Sequence, residues 1–401
     1  MRVVFISTLY PPAVVGGAER VVQSVAEGLA AEGHECHVLT LAKGRLRMDR
    51  EAQGVFVHEL PPRNLYVPFQ NPRPSSLRRA LWHGLDTFNP WMAREVGQLL
   101  DEIRPDVVNS HNIAGFSVAV WLAVKRRRIP LVHTLHDQYL LCPRTTMFKN
   151  GRNCETQCGV CWLYSKSRIG YTHLPDMVTG VSRFILARHR QYGCFPGVPE
   201  RVIYNAYERP SSARRVQRSM EEPLRFGFLG RLHETKGIEQ LLEAFLLLPE
   251  GLAELWIAGT GDVTYVQRLK QKAAWRSDVR WLGFVEPEAL LRQVDVLVVP
   301  SRWHDTAPLV VLEALAWGLP LLVSNRGGLP ELVPPEVGWT FNPDKPGALS
   351  YLLRYCVEHR GYLAEKSVSA LKMAQQFTKK AMLQGYMEAY AAVIQRNSRV
   401  E

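Results

Sequence analysis

The chain has 401 residues, and because a domain averages about 150 residues, this length predicts two or three domains. Its 46% apolar and 22% charged residues exclude wholesale disorder, and its 49 Lys and Arg against 38 Asp and Glu give a net charge of +11. No apolar run reaches the roughly 18 residues that a membrane span needs. The N-terminal apolar run at residues 3–6 soon meets Pro11 and Pro12, so we expect no signal peptide and a cytoplasmic protein.

Short β-rich apolar runs alternate with helical patterns along the first half of the chain. Strands are predicted at residues 3–6, 36–41, 55–60, 106–109, 131–135, 177–181 and 201–204. A helix is predicted at residues 18–31, where Val21, Val22, Val25 and Leu29 share one face. This alternation indicates a parallel sheet covered by helices on both faces.

The pattern stops at residues 205–223, which hold Pro210 and several charges without periodicity, and which we interpret as a linker. Strands are then predicted at residues 225–229, 255–258, 279–282, 296–300 and 321–324, and helices at 238–248, 265–275 and 309–317. Residues 345–397 have a helical pattern throughout. We therefore expect two doubly wound α/β domains in tandem, with a ligand bound at the carboxyl ends of the strands.

Positive charge is concentrated in the first half. Residues 1–205 hold 25 Lys and Arg against 16 Asp and Glu, a net charge of +9, whereas the remaining residues hold 24 against 22, a net charge of +2. Such a domain suits an anionic partner, either a membrane surface or a phosphorylated substrate, although a solvated basic surface is an equal alternative. We expect no nucleic-acid partner, because zinc-finger spacings and a continuous basic arm are missing from the sequence.

A glycine pair, Gly16 and Gly17, lies between the first strand and the first helix. Glycines there let a ligand approach the backbone, and the N–H groups at the start of the helix suit an anion. The pair is not a G-x-G-x-x-G motif, so it does not support a dinucleotide site, and many α/β turns need such glycines for steric reasons alone.

The loop after the first strand of the second domain carries Arg231 and Lys236 between glycines. Two cations at the carboxyl end of a strand could hold a diphosphate, because Arg can contact two oxygens while Lys acts as a point charge. An exposed loop whose cations face solvent is the alternative.

A third element follows the strand at residues 296–300. Asp305 precedes a helix, and Glu313 lies in that helix eight positions later. Two carboxylates at one strand end could bind the hydroxyls of a sugar and of a ribose. The backbone N–H groups between Thr306 and Val310 would remain open to phosphate at the helix N-terminus. On these residues alone, Asp305 as a helix cap competes with this interpretation.

Taken in order along the chain, these elements resemble the retaining glycosyltransferases of family 4, which have the GT-B fold. The matching motifs lie at residues 16–19, 104–111, 132–137, 181–184, 202–205, 230–237, 259–261, 283–284, 305–313 and 327–331. One position departs from the pattern, since the first acid of the family's E-x7-E element is Asp305. Because Asp is one methylene shorter than Glu, the sugar specificity that the family implies is in doubt.

The resemblance implies two Rossmann-like domains with a donor-binding cleft between them. It assigns residues 1–205 to the acceptor side, 206–223 to a linker, 224–385 to the nucleotide-sugar side and 386–401 to a helix that crosses back. Glu313 would hold the ribose, Asp305 the sugar, and Arg231 and Lys236 the leaving diphosphate, which removes the need for a metal cofactor. The implied donor site comprises Gly16, Gly17, Arg231, Lys236, Gly261, Asp305, Thr306, Ala307, Pro308, Leu309 and Glu313.

Two histidines carry the family's paired motifs. The resemblance implies that His136 lies near the transferred sugar and orients it by hydrogen bonding, with charge stabilisation as a second role. His111 has a supporting or a purely structural role. The sequence identifies no covalent nucleophile and contains no D-x-D pair of the metal-dependent transferases.

Four of the seven cysteines, Cys142, Cys154, Cys158 and Cys161, fall within 20 residues. A structural zinc site is one hypothesis for this insertion at residues 138–165, and a plain loop or disulfides are the alternatives.

We therefore predict a hexosyl- or related transferase that moves a sugar from a nucleotide-sugar, with uridine as the base, to a lipid-linked or glycan acceptor. Surface polysaccharide or glycolipid synthesis at the inner membrane face is the expected setting. The alternatives are an epimerase-like relative and a non-catalytic protein that docks to a membrane or another polyanion through its basic domain.

Overall fold

The computed structural model describes residues 1–14, 16–68, 74–210, 212, 214–216 and 218–398. The chain forms two compact units. Unit 1 comprises Met1–Met147, Cys154–Tyr204 and Lys379–Glu401, and unit 2 comprises Phe148–Asn153 and Asn205–Thr378.

The elements follow one another as the alternation of the sequence predicts. Up to Val202 they are β1 (Arg2–Ile6), α1 (Gly17–Ala31), β2 (Glu35–Leu41), β3 (Met48–Ala52), β4 (Val55–Leu60), α2 (Ser76–Thr87), α3 (Pro90–Ile103), β5 (Val107–Ser110), α4 (Ala119–Lys125), β6 (Leu131–Leu135), β7 (Phe148–Lys149), β8 (Arg152–Asn153), α5 (Gly159–Gly170), β9 (Met177–Gly180), α6 (Arg183–Gln191) and β10 (Glu200–Val202). They continue with β11 (Leu224–Leu229), a 3-10 turn (Glu234–Lys236), α7 (Ile238–Leu246), β12 (Ala253–Ala258), α8 (Val263–Lys272), β13 (Val279–Gly283), α9 (Pro287–Leu291), β14 (Val296–Val299), α10 (Leu309–Ala316), β15 (Leu321–Ser324), α11 (Leu329–Leu332), β16 (Gly338–Phe341), α12 (Ala348–Glu358), α13 (Gly361–Ala374) and α14 (Lys379–Asn397).

Unit 1 is built on an eight-stranded sheet in the order β10-β9-β6-β5-β1-β2-β4-β3. Its strand pairs are parallel except for the antiparallel β3–β4 pair. The inner strands β1, β5 and β6 are buried almost throughout, which explains why they are continuous apolar runs rather than alternating patterns. The chain leaves β1 for β2 on one side and later reaches β5 on the other, so β1 marks the switch point of this sheet.

The last helix of the chain, α14, belongs to unit 1. The phenol of Tyr390 donates a hydrogen bond of 2.8 Å to the side chain of Asn109 on β5, and both residues are fully buried. The returning helix was predicted to start at residue 386, whereas α14 begins at Lys379. The earlier start lets the helix bury Met382 and Leu383 as well as Tyr390.

Unit 2 is built on a parallel six-stranded sheet in the order β13-β12-β11-β14-β15-β16. The segment predicted as a linker is anchored to this unit. Arg218 forms an ion pair of 2.7 Å with Asp295, and Arg215 donates hydrogen bonds to the carbonyls of Val294 and Gly318. Residues 211, 213 and 217 of that segment lie outside the described residues.

Strands β3 and β16 and the two-stranded hairpin β7–β8 were not predicted from the sequence. Strand β3 is mostly exposed and charged, so it pairs through its backbone at a sheet edge without an apolar pattern. Strands β7 and β8 have two residues each, too few to produce a periodicity.

Candidate active site

The loops that follow β11 and β14 lie at the switch point of unit 2. The chain leaves β11 for β12, whereas β14 pairs with the opposite side of β11. Loops at such a point diverge above the sheet and leave a crevice at the carboxyl ends of the strands. The cations at residues 231 and 236 and the acids at 305 and 313 therefore belong to one edge of the same sheet.

Glycines bring these loops together. Gly237 has a φ of +70°, and a Cβ atom built on it would lie 1.9 Å from the carbonyl oxygen of Pro300. Gly261 lies beside the other end of the β11 loop, where a Cβ atom would be 2.1 Å from the carbonyl oxygen of Leu232. A side chain at either position would push the loops apart, so these glycines are required by packing.

Lys236 and Asp305 contact each other directly. The Lys236 ammonium lies 2.5 Å from Oδ2 of Asp305, and the hydroxyl of Ser301 donates to the same oxygen at 3.2 Å. The ammonium also lies 5.3 Å from the ring centroid of Trp303. The carboxylate is buried while the lysine is half-buried, so the pair faces solvent on its cationic side. From the sequence, these two residues were predicted to bind different parts of a ligand, whereas in the structure they contact each other.

Asp305 does not cap the helix that follows it. The residue before α10 is Pro308, which provides no side-chain cap. Thr306 and Ala307 are buried, while Pro308 and Leu309 are half-buried. Glu313 is buried in the second turn of α10, on the helix whose first N–H groups have no intrahelical acceptor. These residues therefore form one continuous segment from the β14 end into α10.

Arg231 stands apart from this pair. Its side chain is exposed, and within the described part of the chain its guanidinium makes neither a hydrogen bond nor an ion pair. The loop beneath it is fixed, since the N–H of Leu232 donates to the carbonyl of Thr260 at 2.8 Å. An exposed cation on a fixed loop is suited to a ligand that approaches from solvent.

The hairpin β7–β8 contacts the β14 loop, which the sequence analysis did not foresee. Asn153 donates to the carbonyl of Arg302 at 2.7 Å and accepts from the N–H of His304 at 3.0 Å. Arg302 in turn donates to the carbonyl of Gly151 at 2.8 Å. His304 directly precedes Asp305 in the chain, so the hairpin holds the loop that carries the acid. An isolated Asn in an insertion gives no signal of such a role.

In unit 1, the two predicted histidines come together at the carboxyl edge of the sheet. His111 directly follows β5 and His136 directly follows β6, and both side chains are buried. Nδ1 of His111 lies 2.9 Å from Nε2 of His136, within hydrogen-bond distance. Because β5 and β6 are neighbours, two histidines at equivalent strand ends are brought into contact by the register of the sheet.

Burial keeps this histidine pair uncharged. It lowers the pKa of His136 to about 4 and the pKa of His111 well below its ordinary value. At neutral pH both rings are therefore neutral, so His136 can orient a ligand by hydrogen bonding, whereas the predicted charge stabilisation does not fit. Burial also raises the pKa of the neighbouring Asp137 to about 7.

The glycine pair of unit 1 lies where the sequence analysis expected it. Gly16 is the residue before α1, and Gly17 begins the helix. The N–H of Gly16 donates to the carboxylate of Glu19 at 2.9 Å. A carboxylate of the chain therefore already occupies one donor that we had assigned to a bound anion.

Comparison with known proteins identifies the family. Residues 15–209 match the family described as Glycosyltransferase Family 4, and residues 223–359 match Glycosyl transferases group 1. An uncharacterised 42.6 kDa protein in the cps region of Klebsiella pneumoniae is 31% identical over 332 residues, which cover 83% of this chain and 87% of that protein. The chain belongs to glycosyltransferase family 4.

Solved structures agree with this assignment. HepE from Anabaena in complex with UDP superposes with a TM-score of 0.74 at 21% identity, and the match covers 98% of this chain and all of that one. The sucrose-phosphate synthase of Thermosynechococcus elongatus has a TM-score of 0.75 at 18% identity, covering 98% and 99% of the two chains. The fold of this glycosyltransferase is GT-B, with two Rossmann-like halves.

A buried ion pair in the first half of the glycosyltransferase was not predicted. Asp86 on α2 and Arg168 on α5 are fully buried and lie 3.0 Å apart. The phenol of Tyr139 donates to Asp86 at 2.8 Å, and Arg168 donates to the carbonyl of Tyr139 at 2.7 Å. The cluster links two helices to the loop that follows His136. No helical periodicity marks such a pair in the sequence.

The four clustered cysteines are not arranged as the predicted zinc site. Among the described residues, no group of three or more His, Cys, Asp or Glu side chains is placed to hold a metal ion. The sulfurs of Cys142 and Cys161 lie 3.4 Å apart and are not joined by a disulfide bond. The hydrogen bond from Cys161 lowers the pKa of the Cys142 thiol to about 6.

None of the described helices of the glycosyltransferase is both long and apolar enough to cross a membrane.

Proposed function

We propose that this glycosyltransferase is a retaining, metal-independent enzyme that moves a sugar from a UDP-sugar to a lipid-linked or glycan acceptor. Surface polysaccharide or glycolipid synthesis is the setting. The observation that carries the proposal is the contact between Lys236 and Asp305 at the switch point of unit 2. It places a cation and an acid side by side in the crevice where α/β sheets bind ligands.

The proposal gives each charge a role when the donor binds. Lys236 exchanges its contact with Asp305 for the diphosphate, and the Arg231 guanidinium turns to the same phosphates. Asp305 is then released to accept hydrogen bonds from the sugar hydroxyls, while Glu313 holds the ribose. The two cations stabilise the negative charge that grows on the leaving diphosphate, which is the contribution a metal ion would otherwise make.

The transfer step retains the anomeric configuration of the donor sugar. The acceptor oxygen attacks the anomeric carbon from the face that the phosphate leaves, the bond from that carbon to the phosphate oxygen breaks, and the acceptor's proton passes to the leaving phosphate. His136 is not the base in this step. As a neutral imidazole it donates or accepts a hydrogen bond and orients the sugar.

Two relatives support the choice of donor and pathway. HepE from Anabaena was crystallised with UDP and with UDP-glucose, which favours uridine as the base. The Klebsiella protein is encoded in a cps region, which favours polysaccharide synthesis. The net charge of +9 over residues 1–205 favours an acceptor that bears phosphate.

The melting temperature of the protein, measured with different nucleotides, tests which nucleotide the donor site binds. UDP should raise the melting temperature more than GDP or ADP, with EDTA present or absent. A ligand at 100 times its dissociation constant adds about 2.7 kcal/mol of stability. Lys236→Ala should remove most of the UDP shift, while Lys272→Ala, which changes an exposed ion pair of the same unit, should leave it intact. A shift that requires a divalent metal would contradict metal independence, and a larger shift with GDP would contradict the choice of uridine.

A further inference from the structure

Helices α2 and α5 of unit 1 expose five large apolar side chains. Leu77 and Leu81 on α2, with Val160, Trp162 and Leu163 on α5, are each between 54% and 72% exposed. Scattered apolar residues on a surface need no explanation, but several on two packed helices mark a binding surface. We call these five side chains, with Arg78 and Lys166, the α2–α5 face.

The two helices lie against each other, with Trp162 and Lys166 further round α5 from this contact than Val160. The phenol of Tyr164 on α5 donates to the carbonyl of Ala80 on α2 at 3.2 Å. Its ring also lies 5.7 Å from the ring of His83. Leu77 and Leu81 are one turn apart on α2, on either side of the Ala80 contact, and Val160 and Leu163 are likewise one turn apart on α5.

The exposed charges of this face are all positive. Asp86 is the only acidic residue in the α2 and α5 segments, and it is fully buried against Arg168. Arg78 and Lys166 are exposed, and the Lys166 ammonium lies 4.9 Å from the ring centroid of Trp162. The face therefore combines apolar side chains, a tryptophan and cations, while the acidic residue of these helices, Asp86, is buried in the core.

We infer that the α2–α5 face docks on an anionic lipid surface. Leucines beside cations match the chemistry of a surface-bound helix, whose apolar side enters the headgroup region while Lys and Arg contact acidic lipids. Tryptophan is enriched at the boundary between lipid and water, where its ring is buried in lipid and its indole N–H remains hydrated. A buried ion pair and a tyrosine fix the two helices, so the face is presented as a rigid patch. The inference rests on the proposed function only in that a lipid-linked acceptor would place the enzyme at such a surface.

Vesicle co-sedimentation of the full chain tests the inference. The protein is mixed with vesicles of phosphatidylcholine alone, or with about one third phosphatidylglycerol, at low and high salt. We expect binding to the acidic vesicles, weakened by salt. The Leu77→Ser/Leu163→Ser double variant should bind them about tenfold less tightly or worse, because each buried methylene contributes to membrane affinity.

A matched control uses two equally exposed apolar residues of unit 2. The Leu247→Ser/Phe284→Ser variant should bind acidic vesicles like the unchanged protein. Equal binding by the two double variants, or no binding by the unchanged protein, would overturn the inference. So would a change from dimer to monomer by light scattering in the Leu77→Ser/Leu163→Ser variant, because the face would then bind a second copy of the chain.

The two proposals can fail separately. In one outcome, the Leu77→Ser/Leu163→Ser variant loses vesicle binding while UDP still raises its melting temperature and it still hydrolyses the UDP-sugar. That result would support the docking face and would show that the donor site is unchanged. A protein that binds acidic vesicles but shows no nucleotide shift would refute the proposed donor and leave the docking face standing.

Discussion

At the carboxyl edge of the first sheet, two histidines contact each other in a buried and uncharged setting, whereas the second sheet ends in an ion pair that faces solvent. His111 and His136 are both buried, and burial lowers the pKa of each. Lys236 and Asp305 are charged side chains joined at 2.5 Å, and the lysine is half-buried. The sheet of unit 1 thus ends in an uncharged pair and the sheet of unit 2 in a charged pair.

The difference shows how the basic charge of the first half is distributed. Residues 1–205 carry a net charge of +9, yet the part of their sheet edge that holds the paired histidines is neutral. The described cations of that half lie on the surface or, as with Arg168, are neutralised in the core. The net charge of residues 1–205 therefore indicates what kind of partner this half attracts, but not the charge of the residues at its candidate site.

The largest expected effect concerns the buried pair of the first half. Arg168→Met removes one charge and leaves Asp86 buried without its partner, which should cost about 3–5 kcal/mol of unfolding free energy. Arg268→Met, which breaks an exposed pair with Glu239 in the second half, should cost no more than about 1 kcal/mol. Urea unfolding of both variants measures the contrast, and equal costs would refute it.

A slightly smaller effect is expected on turnover in the second half. Lys236→Ala should lower kcat by about 100- to 1,000-fold, since one contact to developing negative charge is worth about 3 kcal/mol. The free energy of unfolding should fall by less than in Arg168→Met, because the Lys236 ammonium is only half-buried and Ser301 still donates to Asp305. Steady-state kinetics with a UDP-sugar tests this, with Lys272→Ala as the control, and near-normal turnover in Lys236→Ala would remove the assigned role.

The smallest effect, a pH dependence, should separate the two sheets. The pKa values of His136 and His133 fall to about 4 and about 3 in the folded chain, so between about pH 6.5 and 4.5 the unfolded chain binds more protons there. Stability of the first half is then lost as the pH falls through this window, by about 1.4 kcal/mol per pH unit for each net proton.

Two buried acids oppose this trend without reversing it. Burial raises the pKa of Asp86 to about 6 and that of Asp137 to about 7, so the folded chain holds up to two extra protons in the same window. Six histidines with a lowered pKa outnumber these two acids, namely His37, His83, His111, His133, His136 and His189. Hydrogen exchange should show faster acid-dependent opening of β5 and β6 than of β11 and β14, and parallel behaviour of both sheets would contradict this.

The fold was predictable because buried parallel strands are continuous apolar runs. Strand β4 occupies the predicted residues 55–60, and β6 the predicted residues 131–135. The tail at residues 345–397 was predicted as wholly helical, and it forms three helices, the last of which begins at Lys379. The exact start of that helix depends on what it packs against, which the sequence pattern does not show.

The sequence was enough to identify residues of the candidate site, but it did not predict which of them contact each other. Lys236, Asp305 and Glu313 were identified from their places at strand ends, and the pairing of Lys236 with Asp305 was not, because the order of strands decides which loops meet. Asn153 was missed for a related reason. Its two hydrogen bonds join segments about 150 residues apart, and no local pattern encodes such a contact.

The place of α14 has a consequence for how the protein is made. Unit 1 is assembled from the beginning and the end of the chain, since Tyr390 reaches Asn109 across 281 positions of sequence. During synthesis unit 1 therefore remains incomplete, because its last helix is translated only after all of unit 2. Unit 2 is one continuous stretch apart from the short hairpin at Phe148–Asn153, so it can fold first even though it is translated second.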